Sequence, residues 1–258
     1  MAILNVTPDS FSDGGRYSDL DAAKRGAEEM AAEGAAVIDI GGESTRPGAA
    51  AVSEAEELDR VLTVVEAVID SCDLPVSIDT TKPGVMRAAV AAGAGVINDI
   101  NALRTAGAVE VAAELAVPVV LMHMQGSPRT MQDAPLYRDV VADVADFFRQ
   151  RLTAATAAGV LPTNIILDPG IGFGKSADHN LQLLRELEQF LQFGSPLLVG
   201  ISRKSIFGTI LGRALEERLP GSLAAAAIAV WLGAKLIRTH DTKATLDAVN
   251  FSAALRQQ

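Results

Sequence analysis

Eight short apolar segments alternate with helix-forming segments along the whole chain, and this repetition limits the folds that the chain can adopt. The apolar segments are ILNV, AVIDI, PVSID, GVINDI, PVVLMH, NIILD, PLLVG and KLIRTH, which begin at residues 3, 36, 75, 95, 118, 164, 196 and 235. Their apolar residues are continuous rather than alternating, as is typical of strands that are covered on both faces in a parallel sheet. Helix-forming segments, some of them Ala-rich, lie between them and have helical periodicity, for example DAAKRGAEEMAAEG, SEAEELDRVLTVVEAVI and DHNLQLLRELEQFL. The order predicts eight β-then-α units.

Eight such units close most simply as an α/β (β/α)8 TIM barrel, in which active sites form at the carboxyl ends of the strands. An open, doubly wound sheet is the alternative, but it concentrates polar residues at one switch point. Here almost every predicted strand ends in a polar residue: Asn5, Asp39, Asp79, Asn98, His123, Asp168, the group Ser202, Arg203 and Lys204, and Arg238 with His240. This ring favours the barrel. No linker or charge block divides the chain, so residues 1–258 are expected to form a single domain.

Several features predict how the helices begin and end. Gly34, Gly93, Gly159 and Gly233 each close a helical segment shortly before the next strand, where a left-handed residue is favoured. Asp99 and Asp178 have the positions of ordinary helix N-caps, and Cys72 is expected at a helix end. The longest apolar run, residues 223–234, is about half of the roughly 20 residues that a membrane span needs. It is expected to form a buried helix.

Composition excludes several classes of partner. A net charge of −10 argues against general affinity for nucleic acid or for an anionic membrane, because both need a basic face. An anionic ligand must therefore meet a local cluster of cations. Cys72 is the only cysteine, which excludes an internal disulfide and a cysteine metal site and agrees with a cytoplasmic location. The first residues, MAILNVTPDS, lack the pattern of a secretory signal.

The segment LDPGIGFGKS, residues 167–176, resembles a phosphate-binding loop but has the wrong spacing. A Walker A loop needs a glycine where this chain has Pro169, which has no amide hydrogen. The glycines at 170, 172 and 174 also lack the spacing of a dinucleotide-binding fingerprint. Because the segment follows the sixth predicted strand, we expect Asp168 at the barrel mouth and a glycine-rich loop that lets a flat ligand approach the backbone.

Other strand-end residues suggest a binding site for an anion and a polar ligand. Arg238 and His240 are two residues apart on a strand, so their side chains point the same way, and with Lys204 they predict an anion site. Asp79 and Asp168 are expected to face one another across the mouth. The loops after the first two strands, NVTPDSFSDGGRYS and GGESTRPGAAAVS, have the composition of mobile lids. His123 without a spaced partner is weak evidence for zinc.

Together the motifs NVTPDSFSDGG, GGESTRPGA, SIDTTKP, INDI, LMHMQG, LDPGIGFGK, GISRKS and IRTHD, in this order, resemble the bacterial dihydropteroate synthase family. The resemblance runs from the first residues to the last strand. It implies a (β/α)8 barrel, usually a homodimer, that joins 6-hydroxymethyl-7,8-dihydropterin pyrophosphate to para-aminobenzoate in folate biosynthesis. Pyrophosphate is released, and sulfonamides compete for the aminobenzoate site. Members commonly carry residues before the first strand that cover the barrel floor, so either this floor is closed differently or the sequence is short at its N-terminus.

The resemblance also implies roles for individual residues. The pterin would be held by Asp79, Asn98, Met122, Asp168 and Lys204. The pyrophosphate would be bound by Asn5, Thr45, Arg238 and His240, with Asn5 as a ligand of Mg²⁺. The aminobenzoate site would comprise Thr45, Arg46, Pro47, Phe173, Lys204 and Ser205. Asp79, Lys204, Arg238 and His240 would be the catalytic set.

The implied mechanism is dissociative. Magnesium, Arg238 and His240 would stabilise the departing pyrophosphate, and the aniline nitrogen would attack a pterin-methyl cation that Asp79 stabilises. A methyltetrahydrofolate-dependent methyltransferase is one alternative, but it has no use for an arylamine site formed by the STRP and SRKS segments. A catalytically inactive pterin-binding protein is another, and the presence of Asn5, Arg46, Asp79 and Lys204 argues against it.

Overall fold

A computed structural model of the chain describes residues 1–6, 15–45 and 48–256, and the side chains of residues 15–19 are not considered. Within these residues eight strands are seen. They are β1 (Ala2–Asn5), β2 (Ile38–Gly41), β3 (Val76–Asp79), β4 (Val96–Asp99), β5 (Val119–Met122), β6 (Ile165–Asp168), β7 (Leu198–Gly200) and β8 (Leu236–Arg238). Each lies within two residues of its predicted boundaries.

The strands form a closed parallel barrel. Strands β1 to β6 pair in sequence order, and β7 pairs with β8. The two sheets are joined by parallel bridges, one between Leu167 and Leu197 and one between Ala2 and Thr239. The amide of Ile3 donates to the Thr239 carbonyl at 3.0 Å, which connects the last strand to the first. The predicted (β/α)8 fold is therefore confirmed, and the open sheet is wrong.

Helices cover the outside of the barrel. They are α1 (Gly15–Ala32), α2 (Glu54–Ser71), α3 (Pro83–Ala91), α4 (Ala108–Leu115), α5 (Val140–Ala157), α6 (Ala177–Arg185), α7 (Ser205–Leu211), α8 (Leu219–Trp231) and α9 (Thr242–Arg256). The four predicted helix-ending glycines all have positive φ, between 91° and 112°. At the end of α1 the amide of Ala35 reaches back to the Met30 carbonyl at 2.9 Å, as expected for a helix that ends at a left-handed glycine. Among the residues described, no helix is long and apolar enough to cross a bilayer.

Three expectations about helices need correction. Asp178 lies in the first turn of α6, and the N-cap is Ser176, which forms a capping box with His179. Asp99 does not cap α4, because its carboxylate accepts from the amides of Asn101 and Leu103 in a tight turn that follows β4. The segment DHNLQLLRELEQFL is not one α-helix but α6 followed by a 3₁₀ helix, Leu187–Phe193.

Helix α8 contains most of the run 223–234, but only one of its faces is buried. Ala225, Ala226 and Ala229 pack inward, whereas Ile228 and Trp231 are about half exposed. The prediction of a buried helix was therefore wrong for the outer face. A uniformly apolar run has no polar side that would reveal which residues face solvent.

Strand alternation separates the main core from the barrel interior. Ile38, Ile40, Ile78 and Ile97 are fully buried against the helices. Because successive side chains point to opposite faces of a strand, Asp39, Asp79 and Asn98 are directed into the barrel. The polar residues that end the strands are thereby gathered at one end of the barrel axis.

Candidate active site

A single guanidinium bridges two carboxylates at the barrel mouth. Arg238, at the end of β8, donates from Nε to Asp39 Oδ2 at 2.6 Å and from Nη2 to Asp79 Oδ2 at 2.8 Å. Asn98 donates from Nδ2 to the same oxygen of Asp39 at 3.0 Å. Four different strands therefore contribute to one polar cluster, which contains two acids and one base.

Asp39 is the member of this cluster to which the sequence assigned no role. It lies between Ile38 and Ile40 in the AVIDI segment and is completely buried. Its partner Arg238 is 199 positions away in the chain, so no local spacing indicated the pair. The only sequence signal was an acidic residue within an otherwise apolar strand, which usually requires a buried partner.

The electrostatics of this cluster favour protonation of one acid. Burial raises the pKa of Asp79 to about 7, an effect that Arg238 opposes and that Asp39 reinforces. The cause is the removal of a carboxylate from water beside a second carboxylate, with only one guanidinium to neutralise both. Asp79 therefore changes its charge near neutral pH when no ligand is bound.

A second group of site residues lies beside β6 and β7. Asp168 ends β6, and its Oδ1 accepts from the amide of Gly170 at 2.7 Å. Lys204 donates from Nζ to the Ile171 carbonyl, and this nitrogen lies 4.1 Å from the centre of the Phe173 ring. Burial lowers the pKa of Lys204 to about 8, although Asp168 acts in the opposite direction. Burial also raises the pKa of Asp168.

Methionines form an apolar wall next to these charges. Met122, which ends β5, packs with Met124, Met131 and Ile100 in a small cluster that is separate from the main core. Phe173 packs against the same cluster. The unbranched methionine side chains can adapt to the face of a flat ring.

The remaining predicted residues lie around the rim. Asn5 is the last residue of β1 and is paired in register with Gly41. His240 follows β8 and is exposed, with Nδ1 3.0 Å from Ser202 Oγ. Ser205 is the exposed first residue of α7. Arg46 and Pro47 lie outside the described residues, as do residues 7–14 of the first predicted lid.

Arg238, His240 and Lys204 were predicted to converge on an anion, but the structure gives each a different partner. Arg238 is bonded to carboxylates, His240 to Ser202, and Lys204 to the Ile171 carbonyl beside Phe173. Arg238 and Lys204 are nevertheless close enough for Arg238 to lower the pKa of Lys204.

An ion-pair network that was not predicted holds the loop after β2. The Lys82 ammonium binds Glu43 Oε2 at 2.6 Å and also binds the carboxylate of Glu57, which is fully buried on α2. Glu43 also accepts from the amide of Val52 at 2.9 Å, so its carboxylate closes the loop that carries Thr45.

A cavity of about 360 Å³ opens beside Asp79. The loops after β2 to β5 line it, and the residues include Thr45, Asp79, Thr80, Asn101, Met124 and Arg129. A ligand that enters from this side reaches the Asp79 carboxylate directly.

Comparison with known proteins identifies the family to which this chain belongs. A family model described as pterin binding enzyme matches residues 1–240. The chain belongs to the pterin binding enzyme family. It is 52% identical over 249 residues to the dihydropteroate synthase of Escherichia coli K12, which covers 96% of this chain and 88% of that protein. It is 53% identical over 247 residues to the dihydropteroate synthase of Haemophilus influenzae Rd, and this match covers 96% of this chain and 90% of that protein.

Solved structures of dihydropteroate synthases share the fold over the whole chain. The Yersinia pestis protein, solved in complex with a sulfonamide drug, matches with a TM-score of 0.94 at 50% identity and covers 100% of this chain and 94% of its own. The Xanthomonas albilineans protein, solved in complex with 7,8-dihydropteroate, matches with a TM-score of 0.89 at 47% identity, with 100% and 93% covered. The resemblance that the motifs indicated is thus confirmed. Within the family, this chain is a dihydropteroate synthase, a transferase of folate biosynthesis.

Proposed function

We propose that the barrel mouth carries out the dihydropteroate synthase reaction through the residues described above. The observation that carries the assignment is the cluster of Arg238 with Asp39 and Asp79, in which one guanidinium faces two carboxylates, so the cluster is negative overall when Asp79 is ionised. Such a cluster favours a ligand that offers hydrogen-bond donors and develops positive charge. A dihydropterin that is losing a pyrophosphate has both properties.

The pterin is proposed to lie among Asp79, Asn98, Asp168, Met122 and Lys204. Its amino-pyrimidine edge presents adjacent donors, which a carboxylate accepts in pairs. Asn98 can donate and accept, although its Nδ2 also donates to Asp39. Met122 supplies the apolar contact to the ring face, and Lys204 is held beside Asp168 to donate to the ring carbonyl or nitrogen.

The pyrophosphate is proposed to bind at the rim, at Asn5, Thr45, Arg238 and His240. Among the residues described, no three histidine, cysteine, aspartate or glutamate side chains form a metal cage. Asn5, with a single amide oxygen, fits Mg²⁺, which keeps several waters and binds mainly through substrate phosphates. When bound there, Mg²⁺ would neutralise charge on the pyrophosphate.

Para-aminobenzoate is proposed to bind at Thr45, Phe173, Lys204 and Ser205, together with Arg46 and Pro47, which lie outside the described residues. The Phe173 ring, already packed on the methionine wall, offers a flat surface to the benzoate ring. The first turn of α7 would face the carboxylate, for which Arg46 is a further proposed ligand. Sulfonamides would compete for the same place, in agreement with the drug complex of the Yersinia pestis relative.

The proposed reaction proceeds by departure before attack. The bond between the pterin methylene carbon and the pyrophosphate oxygen breaks, and its electron pair leaves with the pyrophosphate. Asp79 stabilises the resulting pterin-methyl cation. The aniline nitrogen then forms a bond to the methylene carbon with its lone pair, and its proton passes to water. The protein supplies no nucleophile, so its contribution is orientation and fixed charge.

A pyrophosphate-release assay tests the function against its alternatives. We expect release only when dihydropterin pyrophosphate, para-aminobenzoate and Mg²⁺ are all present, with inhibition by a sulfonamide that added para-aminobenzoate relieves. Pyrophosphate at background with both substrates would favour an inactive pterin-binding protein. Methyl transfer from methyltetrahydrofolate would favour the methyltransferase, against which the Phe173 and Lys204 arrangement argues.

Assembly, domain extent and location are further parts of the proposal. A homodimer is supported by exposed apolar side chains on the neighbouring helices α8 and α9, among which Phe251 is 69% exposed and Trp231 is 50% exposed. Light scattering is expected to give twice the chain mass, and Phe251→Glu is expected to give the monomer. A single domain is supported by a main core that extends from Leu4 to Ile237. A cytoplasmic location is supported by the unpaired Cys72.

A further inference from the structure

The lysine that ends the segment DPGIGFGK is buried and surrounded by backbone carbonyls. Lys175 is only 3% exposed. Its Nζ donates to the carbonyl oxygens of Phe173 at 2.8 Å, Gly170 at 2.9 Å and His123 at 3.2 Å. An ammonium group has three hydrogens to donate, and here all three are used. Two of the acceptors belong to the loop after β6, and the third belongs to the loop after β5.

The glycines of the segment explain how the two loops come so close. Gly170 and Gly174 both have positive φ, of 66° and 60°. A Cβ at Gly170 would overlap the His123 carbonyl, and one at Gly174 would lie 2.5 Å from the Gln125 carbonyl. The loops are therefore in direct backbone contact, with carbonyl oxygens directed at the lysine. A phosphate-binding loop directs amides at its ligand, so this loop has the opposite polarity and suits a cation.

This lysine fixes the turn that carries Phe173. One bond holds the carbonyl of Phe173 itself, and another holds the carbonyl of Gly170, which also accepts from the Phe173 amide at 3.0 Å. On the other side of the turn, Lys204 Nζ lies over the Phe173 ring. The position of this ring thus depends on Lys175 at the backbone and on the methionine wall at the side chain.

We propose that Lys175 is a positioning residue for the aminobenzoate site, whose ammonium holds the loops after β5 and β6 together so that the Phe173 ring faces Lys204. The inference rests on the function proposed above. Lys175 itself contacts no substrate and transfers no proton. Holding an ammonium away from water is costly, and burial lowers the pKa of Lys175. An apolar residue of similar size would fill the space but would leave the three converging carbonyls without a donor.

The main test is Lys175→Met, which keeps the length of the side chain and removes all three donors. We expect the KM for para-aminobenzoate to rise at least tenfold, while the KM for dihydropterin pyrophosphate changes less than threefold. Lys243→Met, on the exposed side of α9, is the matched control and should leave both constants unchanged. Equal changes in both constants, or none, would overturn the inference.

A double-mutant cycle tests whether Lys175 acts through the ring. In a Phe173→Ala background, Lys175→Met should raise the KM for para-aminobenzoate less than twofold further, because the ring that it positions is absent. A full tenfold effect in that background would show that Lys175 acts elsewhere. If Lys175→Met loses its cooperative thermal transition, the lysine maintains the fold as a whole, and the positioning role is refuted.

Chemical rescue provides a test of the cation itself. Lys175→Ala leaves space among the carbonyls, and methylammonium chloride is expected to lower its KM for para-aminobenzoate at least threefold. Tetramethylammonium chloride at the same ionic strength has no hydrogens to donate and should have no effect. Equal effects of the two salts would contradict a role for hydrogen bonding.

A measurement without substrates separates this inference from the proposed function. If the wild-type protein releases no pyrophosphate, the proposed function fails. Amide hydrogen exchange then still compares the loops in the wild-type protein and in Lys175→Met. Faster exchange at residues 170–174, with unchanged exchange in β1 to β4, would support the loop-fixing role. Unchanged exchange throughout would refute it.

Discussion

Replacement of Asp79 by asparagine is expected to reduce turnover far more than pterin binding. The carboxylate lies at the end of β3 and shares Arg238 with Asp39, so in its ionised form it carries negative charge that Arg238 neutralises only in part and that can stabilise a pterin-methyl cation. For unit charges about 4 Å apart at an effective dielectric constant of about 20, the interaction is worth about 4 kcal/mol. Because Arg238 already neutralises part of this charge, we expect a loss of about 2–4 kcal/mol, or roughly 30- to 1,000-fold in kcat.

Binding of the ground state should suffer less. Asparagine keeps a carbonyl oxygen that accepts from the pterin, so the expected loss is that of one altered hydrogen bond, about 1 kcal/mol or roughly fivefold in Kd. Calorimetry with a pterin that lacks phosphate gives Kd, and pyrophosphate release gives kcat. Equal losses in kcat and in affinity would refute the idea that Asp79 acts mainly on the cation.

The same substitution has an expected signature in stability. The pKa of Asp79 rises from 3.8 to about 7 on folding because the side chain is buried. A raised pKa means that the contribution of this group to stability is fully present below about pH 4 and is lost as the pH rises through about 7. Asparagine does not titrate, so the Tm of the variant minus that of the wild type should increase between pH 5 and pH 8. Asp247→Asn, on the exposed side of α9, should show no such trend.

Three other perturbations address the loops and the second charged group. Gly170→Ala is expected to destabilise the protein by about 2–5 kcal/mol in denaturant titration, because the added Cβ would overlap backbone atoms at a residue with positive φ. Gly95→Ala is the control. It has open space around its Cβ and should change stability by less than about 1 kcal/mol. Glu57→Gln should weaken the ion pair that holds Lys82 beside the loop after β2, with a loss of about 2 kcal/mol in stability and a higher KM for para-aminobenzoate. Glu66→Gln, at an exposed position on the same helix, should show neither effect. The kcat/KM for para-aminobenzoate should fall as Lys204 loses its proton above about pH 8, and Lys204→Arg should move this limb to higher pH; an unmoved limb would assign it to another group.

The fold was predictable because two independent patterns agreed. Continuous apolar runs gave the strands, and left-handed glycines gave the helix ends, as Gly34 and Gly233 illustrate. The register of a parallel barrel then follows from its sequential pairing, so strand-end residues such as Asp79 and Asn98 had to meet at one rim. No long-range information was needed for these steps.

The partners of buried charges were not predictable in the same way. Asp39 and Arg238 are neighbours because β8 closes against β1 and the sheet curves round, and neither local periodicity nor spacing encodes such a pair. Lys175 was overlooked for a different reason. Its segment resembles a phosphate-binding loop, and once that interpretation is rejected the motif indicates no partner for the lysine. One of the carbonyls that Lys175 binds belongs to His123, 52 positions earlier in the chain, which no local pattern indicates.

The lysines of the loops after β6 and β7, Lys175 and Lys204, have different roles in the site: the first is buried and the second is partly exposed. Lys175 donates to three backbone carbonyls and is buried, so none of its ammonium hydrogens is available to a ligand. Lys204 has one carbonyl acceptor and lies over an aromatic face beside Asp168, so hydrogens of its ammonium remain available to a ligand. Burial is the main cause of the lowered pKa of Lys175, and repulsion between its ammonium and that of Lys204 lowers it further. That repulsion is tolerable only if the carbonyls hold the first lysine in place, because a free Lys175 would compete with Lys204 for Asp168. Because Lys175 is bound to backbone carbonyls, Asp168 and Lys204 both remain available to bind substrate.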